Sequence, residues 1–345
     1  MNNQATKKYV HNADAEKEYK KVGFWKRLQL RVLSPQFLIQ VIYKIFRFVL
    51  LIGISYIIIY PFLTKISASF FSQADFVDST VKLIPRHPTL DTYKAIIIDN
   101  DYFPRLLNTA LLSVSTAVIQ TLITAIIGYG FAKFKFKGRG LMFALVVLTM
   151  VVPNRTLMLS MFMKFKYFDI YGIYAGLNHI FHFTAKATPS IDMINSFWPL
   201  LLLSLTGLGF KNGLYIFIFR QFYKGVPDEL EEAAYVDGSG IFKTYFRIIL
   251  PLTIPMMVTI FMFAFSWQWT DTYYSSLFFT STGPKLLNGL IEVPATMNTA
   301  FAAEELYKSA IMNTAGLLVI LPLFIIFLFA QNALVEGIER SGIVG

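Results

Sequence analysis

Residues 228–240 read DELEEAAYVDGSG, a polar stretch between two strongly apolar blocks of the chain. Four carboxylates at its start suit the positive end of a helix, and the paired alanines Ala233 and Ala234 are strong helix formers. Gly238 fits the position just past a helix end, where a left-handed backbone is common. Ser239 is a suitable cap for a second helix running into the next apolar block. The stretch therefore predicts a short helix, a sharp turn and a second helix.

The chain around this stretch has the composition of a membrane protein. It has 345 residues, of which 55% are hydrophobic and 15% charged, whereas soluble domains carry about 25% charged residues. Six segments are long and apolar enough to cross a bilayer. They cover residues 46–64, 106–132, 141–161, 197–219, 251–270 and 309–335, the third being interrupted by Pro153 and Arg155. We therefore predict an all-α membrane protein with six transmembrane helices.

The distribution of basic residues predicts the orientation. With the N-terminus in the cytoplasm, inside segments hold 19 of the 31 lysines and arginines and outside segments hold 11, with Lys211 within a span. Basic residues favour the cytoplasmic side, so we predict that both termini are cytoplasmic. The predicted parts are a tail over 1–45, a membrane domain over 46–335 with an inside loop at 220–250, and a second tail over 336–345.

Two properties of the whole chain narrow its functional class. The net charge of +10 fits basic cytoplasmic loops better than nucleic-acid binding, and the chain has no cysteine for a disulfide or a thiolate site. Residues 24–48 alternate basic with apolar residues, typical either of a helix on the inner leaflet or of a basic stop before the first span. An enzyme would need a clustered acid, base or nucleophile, which the sequence does not show.

The acidic helix predicted near residue 230 is unsuited to lipid. Helices that lie on a membrane carry basic residues on their polar face, whereas this one carries carboxylates. Small alanines allow another backbone to approach closely, and carboxylates pair with basic groups of a partner. The pattern favours docking into a groove of another protein.

The spacing of this stretch resembles a known family. Glu232, Ala233 and Ala234 are followed after three residues by Gly238, and after nine more by Ile248, then Leu250 and Pro251. This pattern resembles the EAA loop of binding-protein-dependent ABC importer permeases. Further stretches resemble the carbohydrate, maltose-permease-like branch of that family: NTALLSV (108–114), GYGFAKFKFKGRG (128–140), FIFRQFYKGVP (217–227) and GIERSGIVG (337–345). The resemblance covers about residues 45–345.

The resemblance implies a particular assembly. The chain would have the type I ABC importer permease fold in a bacterial plasma membrane and would pair with a second, homologous permease subunit. Two cytoplasmic ATPase subunits would bind ATP and Mg, and an extracellular solute-binding protein would deliver a carbohydrate, in particular an oligosaccharide. This chain would itself be non-catalytic and hold no cofactor or metal. The residues carried over for ATPase coupling are Glu232, Ala233, Ala234, Gly238, Ile248, Leu250 and Pro251.

Candidate residues for the substrate pathway lie in and near the fourth, fifth and sixth spans. A charge at membrane depth is costly and usually faces a cavity, which applies to Lys211 unless its span begins later and places it at the outer surface. The stretch FSWQWTDTYY (265–274) has aromatic and polar groups that suit sugars, or an aromatic belt at the interface. The candidates are Lys211, Trp267, Gln268, Trp269, Asp271 and Asn313.

Two other functions fit a multi-span chain. A secondary transporter or channel predicts inverted repeats with broken helices in both halves, and the sequence shows no such repeat. A permease of the same family for a non-sugar solute is the second alternative, since the coupling pattern does not specify the substrate.

Overall fold

The computed structural model describes residues 35–170, 172–181, 190–297, 299–300 and 303–342. Within these ranges the chain is helical, and the one β pairing is an isolated antiparallel bridge between Phe168 and Ile191. The predicted N-terminal tail lies outside the described residues up to residue 34, as do the last three residues of the predicted C-terminal tail.

The described chain forms a series of helices joined by short segments. The helices are α1 (Pro35–Ala68), α2 (Gln73–Val77), α3 (Asp91–Asp99), α4 (Tyr102–Lys133), α5 (Arg139–Val151), α6 (Met158–Lys166), α7 (Ile173–Phe181), α8 (Trp198–Leu205), α9 (Asn212–Gly225), α10 (Glu229–Val236), α11 (Ile241–Thr244), α12 (Leu250–Trp269), α13 (Tyr273–Phe278) and α14 (Glu304–Gly342). A π-helical segment, Tyr245–Ile249, joins α11 to α12. Two 3-10 turns occupy Asn154–Leu157 and Leu287–Leu290.

Four of the six predicted spans coincide with single helices of suitable length and composition. Four stretches are long and apolar enough to cross a membrane: Ile39–Ala68, Tyr102–Lys133, Ile241–Trp269 and Glu304–Asn332. The third predicted span is a pair of helices, Arg139–Val151 and Asn154–Lys166, bent by 93°. Pro153 explains the bend, because it lacks an N–H and disfavours a helical conformation at the preceding residue. The first helix begins at Pro35, within the predicted tail.

The prediction of a continuous fourth span over 197–219 is wrong. Helix α8 ends at Leu205 and α9 begins at Asn212, and residues 206–211 between them form a non-helical segment that we call the α8–α9 break. Gly207 and Lys211 in this break have left-handed backbones, with φ of 75° and 65°. A left-handed residue cannot continue a right-handed helix, so the apolar composition of this region conceals two half-length helices.

Helix α4 is the centre of the unit formed by residues 68–345. It packs against α8, α9 and α12, and α12 also packs against α14. The core at these contacts is aromatic and aliphatic, with Tyr215, Phe219 and Ile260 fully buried. Helix α1 belongs to a separate unit, and its apolar side chains are exposed along its length.

Two glycines on α4 provide a matched test of this packing. A Cβ atom at Gly128 would lie 2.6 Å from Cβ of Phe219 on α9, whereas a Cβ at Gly130 would have no neighbour within 4 Å. We expect Gly128→Ala to push α4 and α9 apart and destabilise the protein by about 1–3 kcal/mol. Gly130→Ala should be neutral or slightly stabilising through helix propensity. Thermal unfolding of the detergent-solubilised variants checks this, and equal melting temperatures would contradict the close α4–α9 contact.

Candidate functional site

The helix, turn and helix predicted around residues 228–240 are present. Helix α10 ends at Val236, and Gly238 follows with a φ of 75°. The N–H groups of Gly238 and Ser239 donate to the carbonyls of Tyr235 and Ala234, which closes the end of the helix. Ser239 is therefore part of the first helix's C-terminal motif. The prediction that it caps the second helix is wrong, because Gly240 occupies the N-cap position without a side-chain bond.

Helix α10 has one exposed face and one face packed against the rest of the chain. Glu231 and Ala234 point inward and are 8% and 4% exposed. Successive residues are 100° apart around a helix, so the residues on the opposite face are Glu229, Glu232, Ala233 and Val236, all of them exposed. We call these four the α10 surface. Glu232 and Ala233 are thus available to a partner, while Ala234 supports the helix from within its own chain.

The exposed surface continues from α10 into α11. Val236 and Phe242 are 87% and 80% exposed, and Ile241 and Phe246 beside them are also exposed. Of the predicted coupling residues further along, Ile248 and Leu250 are half-buried and pack against the core, while Pro251 is exposed in the first turn of α12. An acidic helix face therefore adjoins exposed apolar side chains.

Lys133, the last residue of α4, holds α10 in place. Its Nζ atom lies 2.5 Å from an Asp228 carboxylate oxygen, 2.6 Å from the Val226 carbonyl oxygen and 3.8 Å from a Glu231 carboxylate oxygen. The Lys133 side chain is only 6% exposed. Its hydrogen bond and charge lower the pKa of the Asp228 carboxyl, and burial raises the pKa of Glu231 while the Lys133 charge opposes this. The start of α10 is thus fixed to the end of the central helix.

Three buried tyrosines lie close to this ion pair. The ring centroid of Tyr129 on α4 lies 4.6 Å from that of Tyr245 and 5.4 Å from that of Tyr223. The hydroxyls of Tyr223 and Tyr245 are 3.5 Å apart. The cluster packs α4, α9 and the π-helical segment together. The segments before and after α10 therefore pack against the same three side chains.

Sequence reasoning missed Lys133. It is one of three lysines in the stretch KFKFK that follows the second span, and nothing local distinguishes it from Lys135 or Lys137. Its role depends on its burial and on Asp228, which lies 95 residues further along the chain.

A large cavity lies beside the α8–α9 break. Its volume is about 1090 Å³, and α5, α6, the break and the start of α9 form its walls. Lys211 lines this cavity, and its Nζ atom lies 4.9 Å from the ring centroid of Trp267 and 5.0 Å from that of Phe210. The structure therefore brings together two of the predicted pathway residues, Lys211 in the α8–α9 break and Trp267 on α12.

Lys211 lines this cavity, whereas the other five predicted pathway residues, including Trp267, do not. Gln268 and Trp269 are buried, and the Trp269 indole N–H donates to the Val319 carbonyl at 2.9 Å. The Asp271 carboxylate accepts from the backbone N–H groups of Tyr274 and Ser275 at the start of α13. Asn313 is half-buried on α14 and contacts the hydroxyl of Ser309. Trp269 and Asp271 thus have structural partners within the chain.

In the described part of the chain, no three His, Asp or Glu side chains are grouped as metal ligands would be.

The apolar helices indicate a multi-pass membrane protein, and comparison with known families identifies its class. The model of the family described as "Binding-protein-dependent transport system inner membrane component" matches residues 103–340. The chain therefore belongs to this family, which confirms the resemblance predicted from the sequence. A multi-pass membrane location follows from the family and the apolar helices.

Individual relatives have names that specify the sugar that they transport. The galactooligosaccharides transport system permease protein GanQ of Bacillus subtilis (strain 168) is 27% identical, covering 87% of this chain and 95% of the relative. The maltodextrin transport system permease protein MalD of Streptococcus pneumoniae is 24% identical, covering 85% of this chain and 92% of the relative.

A solved structure supports the fold. A chain from the crystal structure of a bacterial ABC transporter involved in the import of the acidic polysaccharide alginate matches with a TM-score of 0.61 at 18% identity. The match covers 84% of this chain and 96% of that one.

Proposed function

We propose that this chain is a permease subunit of an ATP-driven importer and forms part of the translocation pathway for an oligosaccharide. In this proposal an external solute-binding protein delivers the sugar to this chain and a homologous second permease subunit in a bacterial plasma membrane. Two cytoplasmic ATPase subunits bind ATP and Mg, and this chain is non-catalytic. The sugar assignment is supported by relatives such as GanQ and MalD, whose names specify oligosaccharide transport.

The α10 surface is the observation that best supports the proposed coupling role. Glu229 and Glu232 are exposed on one face with Ala233 and Val236, while the opposite face is fixed to its own chain. Carboxylates around small and apolar residues suit a groove with a basic rim. The ATPase subunit is the partner that fits this surface.

The connection to α4 gives the docking helix a mechanical role in this proposal. Movement of α10 reaches α4 through Lys133, which contacts Asp228 and the Val226 carbonyl within hydrogen-bond distance. Because α4 packs against α8, α9 and α12, its displacement would reach the helices around the cavity. Short, buried contacts of this kind can transmit a rigid-body movement from α10 to α4. Packed helices can then shift together from one arrangement to another.

Site-directed cysteine crosslinking tests the docking surface, and the absence of native cysteine from this chain makes it selective. Val236 is 87% exposed on α10, and Ile84 is 80% exposed in the segment predicted to lie outside the membrane. In native membranes we expect Val236→Cys to crosslink to the ATPase subunit through a short bifunctional maleimide. Ile84→Cys should instead react with a membrane-impermeant maleimide added to spheroplasts.

Two outcomes would contradict the proposal. Crosslinking of Ile84→Cys to the ATPase subunit would reverse the orientation. Free labelling of Val236→Cys in the assembled complex, with no crosslink, would remove α10 as the docking site.

A further inference from the structure

Lys211 lies at membrane depth, although the residue is exposed in the wall of the cavity beside the α8–α9 break. A Cβ added to Gly209, two residues before it, would lie 2.8 Å from Nε2 of Gln120, so the α8–α9 break sits at the level of Gln120 on α4. Gln120 precedes Lys133 by 13 residues (133 minus 120), about 20 Å along a helix. The hydrocarbon core of a bilayer is about 30 Å thick. With Lys133 near one edge of that core, Lys211 lies within the membrane.

The charge of Lys211 has no carboxylate partner in the part of the chain that the structure describes. The ion pairs there involve other residues. Asp169 also lines the cavity, but its carboxylate accepts from the backbone N–H groups of Tyr174 and Ala175. The cavity wall also includes Lys164, so its ionisable side chains are more basic than acidic. A charge kept at this depth is expensive and indicates a functional role.

The backbone at Lys211 adds to this cost. Its φ of 65° is left-handed, a conformation that glycine adopts freely and that costs other residues about 1 kcal/mol or more. Glycine occupies positions 207, 209 and 213 around it, yet position 211 carries a long cationic side chain. Strain of this kind persists where the side chain is needed.

The neighbours of Lys211 suit a sugar. Trp267 is 47% exposed, and its ring lies beside the Lys211 ammonium. An indole face packs against the apolar C–H face of a sugar ring.

We propose that Lys211 and Trp267 form a subsite on the translocation pathway for an acidic oligosaccharide, one that contains uronate units. The ammonium of Lys211 pairs with the sugar carboxylate, and the indole of Trp267 packs against the sugar ring. A charge-assisted hydrogen bond to the ammonium favours the anionic sugar over its neutral counterpart. This inference rests on the proposed importer function and specifies its substrate class.

The test uses the whole transporter, with its binding protein, in proteoliposomes. The probes are trisaccharides of galacturonate, glucuronate and mannuronate, each paired with its neutral counterpart of galactose, glucose or mannose. We expect uptake of at least one triuronate, a loss of about 10-fold or more in Lys211→Gln, and retention of most uptake in Lys211→Arg. Uptake of a neutral trisaccharide should fall much less than uptake of its uronate counterpart in Lys211→Gln, whereas Trp267→Ala should reduce uptake of both kinds.

The outcomes separate the subsite from the importer function. Uptake of neutral trisaccharides alone, unchanged in Lys211→Gln, would overturn the acidic subsite and leave the importer intact. Equal losses of charged and neutral sugars in Lys211→Gln, with normal co-purification of the ATPase subunits, would assign Lys211 a structural role and also overturn the subsite. If no ATPase co-purifies and no sugar is taken up by the unmodified complex, the importer function itself fails.

Discussion

Replacing Glu232 with lysine is expected to abolish sugar-dependent import while leaving the permease folded in the membrane. Glu232 is exposed on the α10 surface and takes part in no ion pair within the described residues. The substitution therefore costs this chain little folding stability. A basic rim on a partner would, however, face a residue of like charge. Removing one member of an interfacial charge pair costs about 2–5 kcal/mol, and reversal adds repulsion. We expect ATPase binding to weaken by about 100-fold or more.

The controls separate charge at α10 from charge in general. Glu232→Gln removes one charge without repulsion and should give an intermediate loss. Asp91→Lys makes the same change of two charge units at an exposed residue at the start of α3, in the segment predicted to lie outside, and should retain ATPase binding. Co-purified ATPase and sugar uptake are measured for each variant. Unchanged import by Glu232→Lys at normal expression would remove Glu232 from the docking surface.

Replacing Lys133 with methionine is expected to loosen α10 from the end of α4. The Glu231 side chain is 10% exposed and would lose the nearest positive charge, 3.8 Å away. Asp228 is 79% exposed and remains solvated, so most of the cost arises at Glu231. Breaking a buried pair by removing one partner costs about 3 kcal/mol or more. Hydrogen exchange of the α10 amides should therefore accelerate by about 100-fold, and import should fall even where ATPase remains bound.

A second substitution tests the cause of this effect. Lys133→Met with Glu231→Leu replaces both charges by apolar groups, which is often neutral or stabilising in a buried site. We expect the double variant to regain most of the amide protection, giving a strong coupling energy between the two sites. Additive effects of the two substitutions would show that Lys133 and Glu231 act independently and would contradict a contribution of this pair to the link between α10 and α4.

Local chemistry was enough to predict the helix and turn of the docking segment. Acidic residues, paired alanines and Gly238 act within a few residues of one another, and the observed helix ends where they predict. The error at Ser239 has a local cause as well, because its N–H bonds to the Ala234 carbonyl and joins the preceding helix. Which alanine faces outward depends on packing, so the inward position of Ala234 could not be predicted from the motif.

Hydropathy was least informative at the fourth span. Residues 197–219 are apolar except at Ser204, Thr206, Lys211 and Asn212. A hydropathy average over a window cannot detect a residue with a left-handed backbone. The cluster of glycines at 207, 209 and 213 was the available signal for the α8–α9 break. The contact between Lys211 and Trp267 could not be predicted without the fold, because the two residues lie 56 positions apart (267 minus 211), one in the α8–α9 break and the other on α12.

The most direct test of the importer function is ATP hydrolysis by the complex purified through a tag on this chain from its native host. The binding protein and a panel of neutral and acidic oligosaccharides are added to the complex in nanodiscs. The account predicts that two ATPase subunits co-purify and that at least one oligosaccharide, with the binding protein, stimulates hydrolysis. Absence of any ATPase after mild crosslinking would contradict it and favour a secondary transporter.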